Sequence, residues 1–333
     1  MNGRALFLHL TDPHVSAAGV PFARDDQKAT IPGIVSPTRE PALELMLRRL
    51  GQRLAEEGRT LDGVLFAGDA QNQGKPGGHE LVLRLLLDHL GSVGVTADRI
   101  VAVPGNHDVP RDSAPGGADR YKNFIDVWGA AGCVVPWLDG VDIGPLTPAR
   151  HCLSAQNKSW AVFAVNTSNW SHVVSELSEP LKSVWSQIPT AVGGGDATRA
   201  EEIGAQLQDL LRFDMARVSP EQLEVLREIV KATPEPDHGR QLRIAVMHHH
   251  LRAPSLREEV KAFADISNLE QLRAFLRGSA LDIVLHVNRR PKLTPDRRSK
   301  LTPCLVVARN GSARPGGAGR GCAAGASAVR FAV

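Results

Sequence analysis

The chain has 333 residues, of which 42% are hydrophobic and 23% are charged, and its formal net charge is +3. This composition is ordinary for a soluble globular protein, and the length permits one large α/β core or two smaller ones. No run of about 18 apolar residues occurs, so the sequence predicts no membrane-spanning helix.

Six short apolar segments are predicted to be β-strands. Each is rich in Val, Ile, Leu and Phe, and several are apolar almost throughout, as strands covered on both faces are. The predicted strands are Ala5–Leu10, Asp62–Ala67, Arg99–Val103, Trp160–Val165, Gln241–Met247 and Leu281–Leu285. Helical patterns separate several of them, and this alternation predicts an α/β architecture.

The helices are predicted from apolar spacing and from capping signals. Between the first two strands, Leu43, Leu47, Leu50 and Leu54 recur at helical spacing, and two further helices are predicted over residues 80–90 and 121–131. A fourth is predicted after a capping box, in which Ser219 is the N-cap, Pro220 the first helical residue and Gln222 the third. Residues 267–270 repeat that signature before another apolar helix face.

Two segments fall outside the regular alternation. Residues 170–217 contain two helix-like stretches on either side of Gly193-Gly194-Gly195, and they are predicted to be an insertion that shapes a cleft or lid, with a solvated loop as the alternative. Beyond residue 286, residues 287–333 form a predicted basic tail rich in Gly, Ala and Arg, with one further strand predicted at residues 328–333. We therefore predict one domain over residues 1–286, followed by this tail.

The positive charge is concentrated in the tail. Residues 289–333 hold ten Lys or Arg and one acid, a balance of +9, so the rest of the chain has a balance of −6. Basic tails bind nucleic acid or anionic surfaces, and many are simply solvated. The N-terminal residues show no signal-peptide pattern, and the four cysteines have no CxxC spacing. We therefore predict a cytoplasmic protein with reduced cysteines.

Side chains that bind metals follow four of the predicted strands. Open α/β sheets bind ligands at the carboxyl ends of their strands. Carboxylate, amide oxygen and imidazole groups are ligands for hard and borderline cations. Each motif alone is commonplace, but the joint pattern predicts a metal site. The four motifs are Asp12-Pro13-His14, Gly68-Asp69, Gly105-Asn106-His107-Asp108 and His248-His249-His250.

These motifs resemble those of the calcineurin-like metallophosphoesterase superfamily, over roughly residues 5–286. Gly105-Asn106-His107-Asp108 is the most specific of them. The resemblance implies an α/β fold of two mixed β-sheets packed face to face and flanked by helices. It also implies two divalent metal ions (Mn, Fe or Zn) at the strand ends and hydrolysis of a phosphate ester by a metal-bridging hydroxide.

The resemblance also implies a role for each matching residue. Asp12 and His14 would bind the first metal, Asp69 would bridge both metals, and Asn106 and His248 would bind the second. His107 would lie near the phosphate as a proton donor. Asp108 would orient His107.

One segment departs from the family pattern. The family has Gly-His-x-His after the last core strand, whereas His286 is followed here by Val287-Asn288-Arg289-Arg290. Asn288 still offers an oxygen ligand, but the Arg290 guanidinium has no lone pair to give. Three interpretations stay open: activity has been lost on a retained fold, His286 or His250 is a substitute ligand, or a frameshift has altered the sequence after His286.

Three functions follow from these observations. The first is a metal-dependent phosphoesterase that acts on a phosphodiester or phosphomonoester. The second is a non-catalytic or impaired binding protein on the same fold. The third is a nuclease, which only the basic tail favours, because the rest of the chain is acidic and poor in aromatic residues for base stacking. Sequence alone predicts neither the substrate nor the oligomeric state.

Overall fold

The computed structural model describes residues 4–20, 38–71, 76–110, 113, 117–142, 146–174, 178–210, 212–251, 266–286 and 304–309. Two four-stranded sheets organise these residues. The first sheet has the order β10-β1-β2-β3. β1, β2 and β3 are parallel and β10 is antiparallel to β1. The strands are β1 (Arg4–Leu10), β2 (Gly63–Phe66), β3 (Ile100–Ala102) and β10 (Cys304–Arg309).

The second sheet has the order β4-β5-β8-β9 and is also mixed. β5, β8 and β9 are parallel, and β4 is antiparallel to β5. Its strands are β4 (Cys152–Ser154), β5 (Trp160–Ala164), β8 (Leu242–Val246) and β9 (Ile283–Leu285).

Helices cover the outer face of each sheet. On the first sheet lie α1 (Glu40–Glu56), α2 (Gly78–Leu90) and α3 (Lys122–Phe124), and α3 continues into a wider π-helical turn over Ile125–Gly129. On the second sheet lie α7 (Pro220–Ala232) and α8 (Leu269–Gly278). The short α4 (Pro148–His151) leads directly into β4.

The alternation of side chains along the strands builds three apolar layers. In β1, Leu6, Leu8 and Leu10 pack on the helices of the first sheet, whereas Ala5 and Phe7 face the second sheet. Phe7 meets Trp160 of β5 edge-on at 4.9 Å between ring centroids. Because successive strand residues point to opposite faces, one strand contributes to two layers. The result is the predicted pair of mixed, face-to-face sheets between helices.

The segment predicted as an insertion has regular structure. It forms a two-stranded antiparallel sheet of β6 (Trp170–Val174) and β7 (Arg212–Met215). Between these strands lie α5 (Glu179–Gly193) and α6 (Ala197–Leu210), which pack on each other. The sequence suggested two helical stretches around Gly193 but missed both strands. Its role as a lid stays a prediction.

All six predicted strands and the predicted helices over residues 43–54 and 80–90 are confirmed. Residues 121–131 form the mixed helical segment that contains α3. Ser219 caps α7 by accepting from the Gln222 backbone N–H at 3.1 Å. The reciprocal half of that capping box differs, because the Gln222 side chain bonds both backbone groups of Asn166.

Two further sequence predictions are corrected by the structure. α8 begins one residue later than predicted, with Asn268 as its N-cap. β10 lies inside the predicted tail and joins the first sheet, while the strand predicted at residues 328–333 lies outside the described residues. No helix in the described part of the chain is long and apolar enough to cross a membrane.

Candidate metal centre

The loops after β1, β2 and β3 run side by side and carry most of the predicted ligands. The Asp12 N–H donates to the Gly68 carbonyl at 3.0 Å, and the His14 N–H donates to the Asp69 carbonyl at 3.0 Å. These bonds continue the parallel pairing of β1 and β2 beyond the strand ends. The carboxyl ends of parallel strands meet at one sheet edge, so the predicted ligands lie side by side.

The backbone is strained at three of these ligands. Asp12, His14 and Asp69 have φ angles of +55°, +47° and +59°. Residues other than glycine rarely adopt this left-handed conformation, and observed strain of this kind clusters at functional sites. The conformation turns three candidate ligands away from the regular strand direction, which places them in one cleft.

Two glycines allow the loops after β2 and β3 to touch. A Cβ atom on Gly105 would lie 2.2 Å from Asp69 Oδ1 and 2.5 Å from the Asp69 N. A Cβ on Gly68 would meet the Gly105 N at 2.5 Å and His248 Nδ1 at 2.8 Å. Only glycine fits at these two positions without displacing the candidate ligands.

His14 and His248 turn the same ring edge toward the carboxylates. His248 Nδ1 lies 2.7 Å from the Ala67 carbonyl, and His14 Nδ1 lies 3.3 Å from the Gln71 carbonyl. A carbonyl can only accept, so in each neutral ring we place the proton on Nδ1. The lone pair on Nε2 then points toward the carboxylates, where it can bind a cation. A carbonyl behind Nδ1 is the usual support of a metal-bound histidine.

Ligand atoms from four loops converge around Asp69, which is fully buried. Asp69 Oδ2 lies 3.5 Å from Nε2 of both His14 and His248. His14 Nε2 is also 3.6 Å from Asp12 Oδ1, and His248 Nε2 is 2.9 Å from Asn106 Oδ1. The structure therefore brings together all five predicted ligands, with Asp69 at their centre.

The grouping of these atoms differs in two respects from the roles that the resemblance implies, because Asp12 is grouped with His248 and because His107 is included. Two groups of three have ligand atoms within 4.8 Å of one another. They are His14 with Asp69 and His107, and Asp12 with Asp69 and His248. Asp69 belongs to both, as a bridging ligand would. His107, predicted as a proton donor, lies among the ligands, with its ring 4.6 Å from that of His14.

Asp108 contacts the backbone of the site. Its Oδ2 accepts from the N–H groups of Asp69 at 2.7 Å and Gly105 at 2.9 Å, and its Oδ1 accepts from the Gln71 N–H at 2.9 Å. These three bonds fix the two loops that carry Asp69 and Asn106, and the orientation of His107 by Asp108 stays a prediction. The His107 backbone is held by its N–H, which donates to Asp69 Oδ1 at 2.8 Å.

The charge of Asp12 is stabilised by its neighbours. Burial alone would raise the pKa of its carboxyl group. The hydrogen bond with His14 and the electrostatic attraction of the His248 and His14 rings in their protonated forms outweigh burial and hold the pKa well below its ordinary value. The Thr11 hydroxyl donates to Asp12 Oδ2 at 2.7 Å and acts in the same direction. An anionic Asp12 is the form that binds a cation.

The two histidines proposed as substitute ligands contact each other. His250 Nδ1 and His286 Nδ1 are 2.9 Å apart, and neither ring belongs to the two groups of ligands among the described residues. Residues 287–290, where the family motif is replaced, lie outside the described residues.

Two residues that support the site were not predicted from the sequence. Gln71 presents its carbonyl to His14 and its N–H to Asp108. His79 in α2 is completely buried, with its Nε2 3.7 Å from Asp108 Oδ1. Gln71 follows the Gly68-Asp69 motif by two residues, which is a usable signal. His79, in the first turn of an amphipathic helix and outside any motif, gave none.

The contact at Gly105 predicts a strong effect of one methyl group. Gly105→Ala should push the loop that carries Asp69, which we expect to lower stability by about 1–3 kcal/mol. It should also lower Mn²⁺ affinity by about tenfold or more. Urea unfolding and Mn²⁺ titration measure both. Gly91→Ala is the matched control, because a Cβ there has no neighbour within 4 Å. Equal values for the two variants would contradict the close-approach account.

Comparison with known proteins shows the family of this chain. A model of the calcineurin-like phosphoesterase family matches residues 5–287, and the chain belongs to that family. No curated protein matches the chain. One solved structure that matches is that of a Staphylococcus aureus protein assigned as a 5′-nucleotidase, in complex with α-ketoglutarate, with 11% identity and a TM-score of 0.40. The match covers 92% of this chain and 51% of that one, so the chain spans about half its length.

Proposed function

We propose that the protein is a metal-dependent phosphoester hydrolase that uses two divalent cations. The observation that carries this proposal is the convergence of ligand atoms on Asp69. Its Oδ2 lies 3.5 Å from two imidazole Nε2 atoms whose Nδ1 atoms face backbone carbonyls. Lone pairs that converge without intervening protons repel each other, and a cation between them removes that repulsion.

The ligand set fits a borderline divalent cation. Two carboxylates, one amide oxygen and two imidazoles suit Mn²⁺, Fe²⁺ or Zn²⁺. Bonds of about 2.0–2.2 Å to one ion are compatible with neighbouring ligand atoms about 3 Å apart, and Asn106 Oδ1 is 2.9 Å from His248 Nε2. When bound, a pair of such ions supplies positive charge to a phosphoryl group and a water of lowered pKa.

Residues of the chain would hold the two ions and keep them in position. We assign Asp12 and His14 to one ion, Asn106 and His248 to the other, and Asp69 to both. Asp69 is fixed at its backbone by Asp108 and at its carboxylate by the His107 N–H. Ligands held so rigidly keep their positions as the charge of the substrate changes, which is the basis of electrostatic preorganisation.

Hydrolysis of a generic aryl phosphodiester with added Mn²⁺ tests the proposal, together with the metal content of the purified protein. We expect Mn²⁺-dependent release of the aryl alcohol. Metal bound without any hydrolysis would favour a binding protein on the same fold. Binding of DNA that weakens with salt, together with DNA cleavage, would favour the nuclease.

We assign His107 as a proton donor, although it lies within reach of His14 and Asp69. General acid–base groups contribute about 10²–10⁴-fold to rate. His107→Ala should therefore lower turnover within that range and leave the number of bound Mn²⁺ ions unchanged. Exposed His238 provides the control substitution. Loss of a metal ion in His107→Ala would mean that His107 is a ligand.

A further inference from the structure

A histidine outside the ligand set lies buried behind the candidate metal centre. His79 is in the first turn of α2, whose N-cap, Gly77, has a φ of +93°. A Cβ on the next residue, Gly78, would lie 2.6 Å from the Val15 carbonyl and 2.8 Å from the Ala70 carbonyl. The start of α2 therefore packs closely against the loops after β1 and β2. This contact places His79 behind the site, with no exposed surface.

The position of the proton on His79 follows from Trp128. The Trp128 Nε1–H donates to His79 Nδ1 at 2.9 Å. An indole can only donate, so Nδ1 must accept and the ring proton must be on Nε2. Burial lowers the pKa of His79, which favours the neutral ring. This arrangement is the reverse of that in His14 and His248, whose Nδ1 atoms face carbonyls.

The Nε2–H of His79 faces the carboxylate that organises the site. Nε2 lies 3.7 Å from Asp108 Oδ1, which is too long for a hydrogen bond but close enough for an attractive electrostatic contact. The Asp108 side chain is fully buried, and three backbone N–H groups donate to it. The His79 ring is therefore the side chain that opposes this buried negative charge from behind the site.

Aromatic contacts fix the rings of Trp128 and His79. The Trp128 ring stacks on Phe66 of β2 at 5.0 Å, and the His79 ring meets Phe124 edge-on at 5.6 Å. These rings belong to the packed core between the first sheet and its helices. Successive polar contacts therefore connect this core to the site: Trp128 contacts His79, His79 faces Asp108, and Asp108 accepts from the Asp69 backbone N–H.

We propose that His79 is a positioning residue of the metal centre: with its proton held on Nε2 by Trp128, it stabilises the Asp108 carboxylate and thereby the position of Asp69. This inference rests on the proposed function, because positioning of Asp69 has consequences only if Asp69 binds metal. Packing of a core histidine, with no effect on metal binding, is the competing account.

Two substitutions separate the two nitrogen atoms of His79. In His79→Gln, the side-chain NH₂ occupies the place of Nε2–H and preserves a donor toward Asp108. In His79→Asn, the amide oxygen occupies the place of Nδ1 and preserves the acceptor for Trp128, but no donor reaches Asp108. Both side chains are polar amides. A role in packing alone predicts no advantage in metal binding for His79→Gln.

The two variants are compared by Mn²⁺ affinity and by thermal unfolding without metal. We expect His79→Asn to bind Mn²⁺ about tenfold more weakly, which is the lower end of the range for residues that support metal ligands. The Mn²⁺ affinity of His79→Gln should stay within about threefold of that of the unmodified protein. The difference between the two variants would then exceed the usual scatter of such effects. Equal losses in the two variants, or unchanged affinity in both, would overturn the proposal.

The position of the proton can be measured without any substitution. Nuclear magnetic resonance of the metal-free protein labelled with ¹⁵N-histidine reports which nitrogen carries the proton, and proximity to the Trp128 indole N–H identifies the His79 signals. We expect protonation at Nε2, and protonation at Nδ1 would overturn the proposal even if a variant fails to fold. Because this measurement needs no metal, failure of the proposed function appears separately, as absence of Mn²⁺ binding by the unmodified protein.

Discussion

Asp69→Asn is expected to abolish metal binding and hydrolysis while the fold is retained. The Asp69 carboxylate is fully buried and lies within 3.5 Å of the Nε2 atoms of both His14 and His248. An amide keeps one oxygen for the His107 N–H but replaces the other by an NH₂ group, which repels a cation. We expect Mn²⁺ affinity to fall by more than about 100-fold, because loss of a supporting residue alone costs about 10–100-fold.

Thermal unfolding with and without Mn²⁺ separates loss of metal from loss of fold. Mn²⁺ at 100 times its Kd should stabilise the unmodified protein by about 2.7 kcal/mol, and this gain should vanish in Asp69→Asn. The metal-free variant should unfold at or above the temperature of the unmodified protein. The reason is that the buried negative charge of Asp69, which lies close to the Asp12 carboxylate, has been removed. Asp88→Asn, on the exposed face of α2, is the control with the same charge change. Unchanged metal stoichiometry in Asp69→Asn would refute the bridging role.

Restoring the family motif after β9 is expected to raise both metal affinity and activity. Arg290 cannot ligate a cation and its charge opposes one nearby, while Asn288 offers only an oxygen. We therefore expect weak metal binding and low activity in the chain as it stands. Val287→Gly, Asn288→His and Arg290→His together should increase Mn²⁺ affinity by more than about 100-fold, since two direct ligands are restored.

The single substitutions are the controls for this triple change. The ligands act as a unit, so the triple variant should gain more than any single change. The gain should disappear when Asp69→Asn is added, because the restored histidines need the same cations. If the unmodified chain already turns over a phosphodiester at roughly 1–10³ s⁻¹, the site is not impaired. His286 or His250 would then be the ligand to examine.

The sequence predicted the strands that are buried on both faces and missed those that depend on a distant partner. β5 and β8 are apolar runs, so each can be recognised from its own residues alone. β10 lies in a basic region just before a Gly-rich stretch, and its strand is defined by pairing with β1, about 300 residues earlier. β6 and β7 likewise need each other across the intervening helices. Pairing between distant segments leaves no periodic signal in either of them.

The candidate ligands were predictable because metal-binding residue types directly follow predicted strands. The residues that hold these ligands in position were not predictable. Asp12, Asp69, Asn106 and His248 each follow a recognisable strand. The contact between Trp128 and His79 joins residues 49 positions apart, and neither residue stands in a motif. The Asp108 contacts were not predictable either. The motif does not reveal that three backbone N–H groups donate to Asp108.

Titration of the unmodified, metal-free protein with Mn²⁺, followed by the paramagnetic resonance of the free ion, tests the central claim most directly. The convergence of Asp12, His14, Asp69, Asn106 and His248 predicts saturable binding that approaches two Mn²⁺ ions per chain. The same titration of Asp69→Asn should show no saturable binding. If all Mn²⁺ stays free in the unmodified protein up to millimolar concentration, the five residues do not form a metal centre.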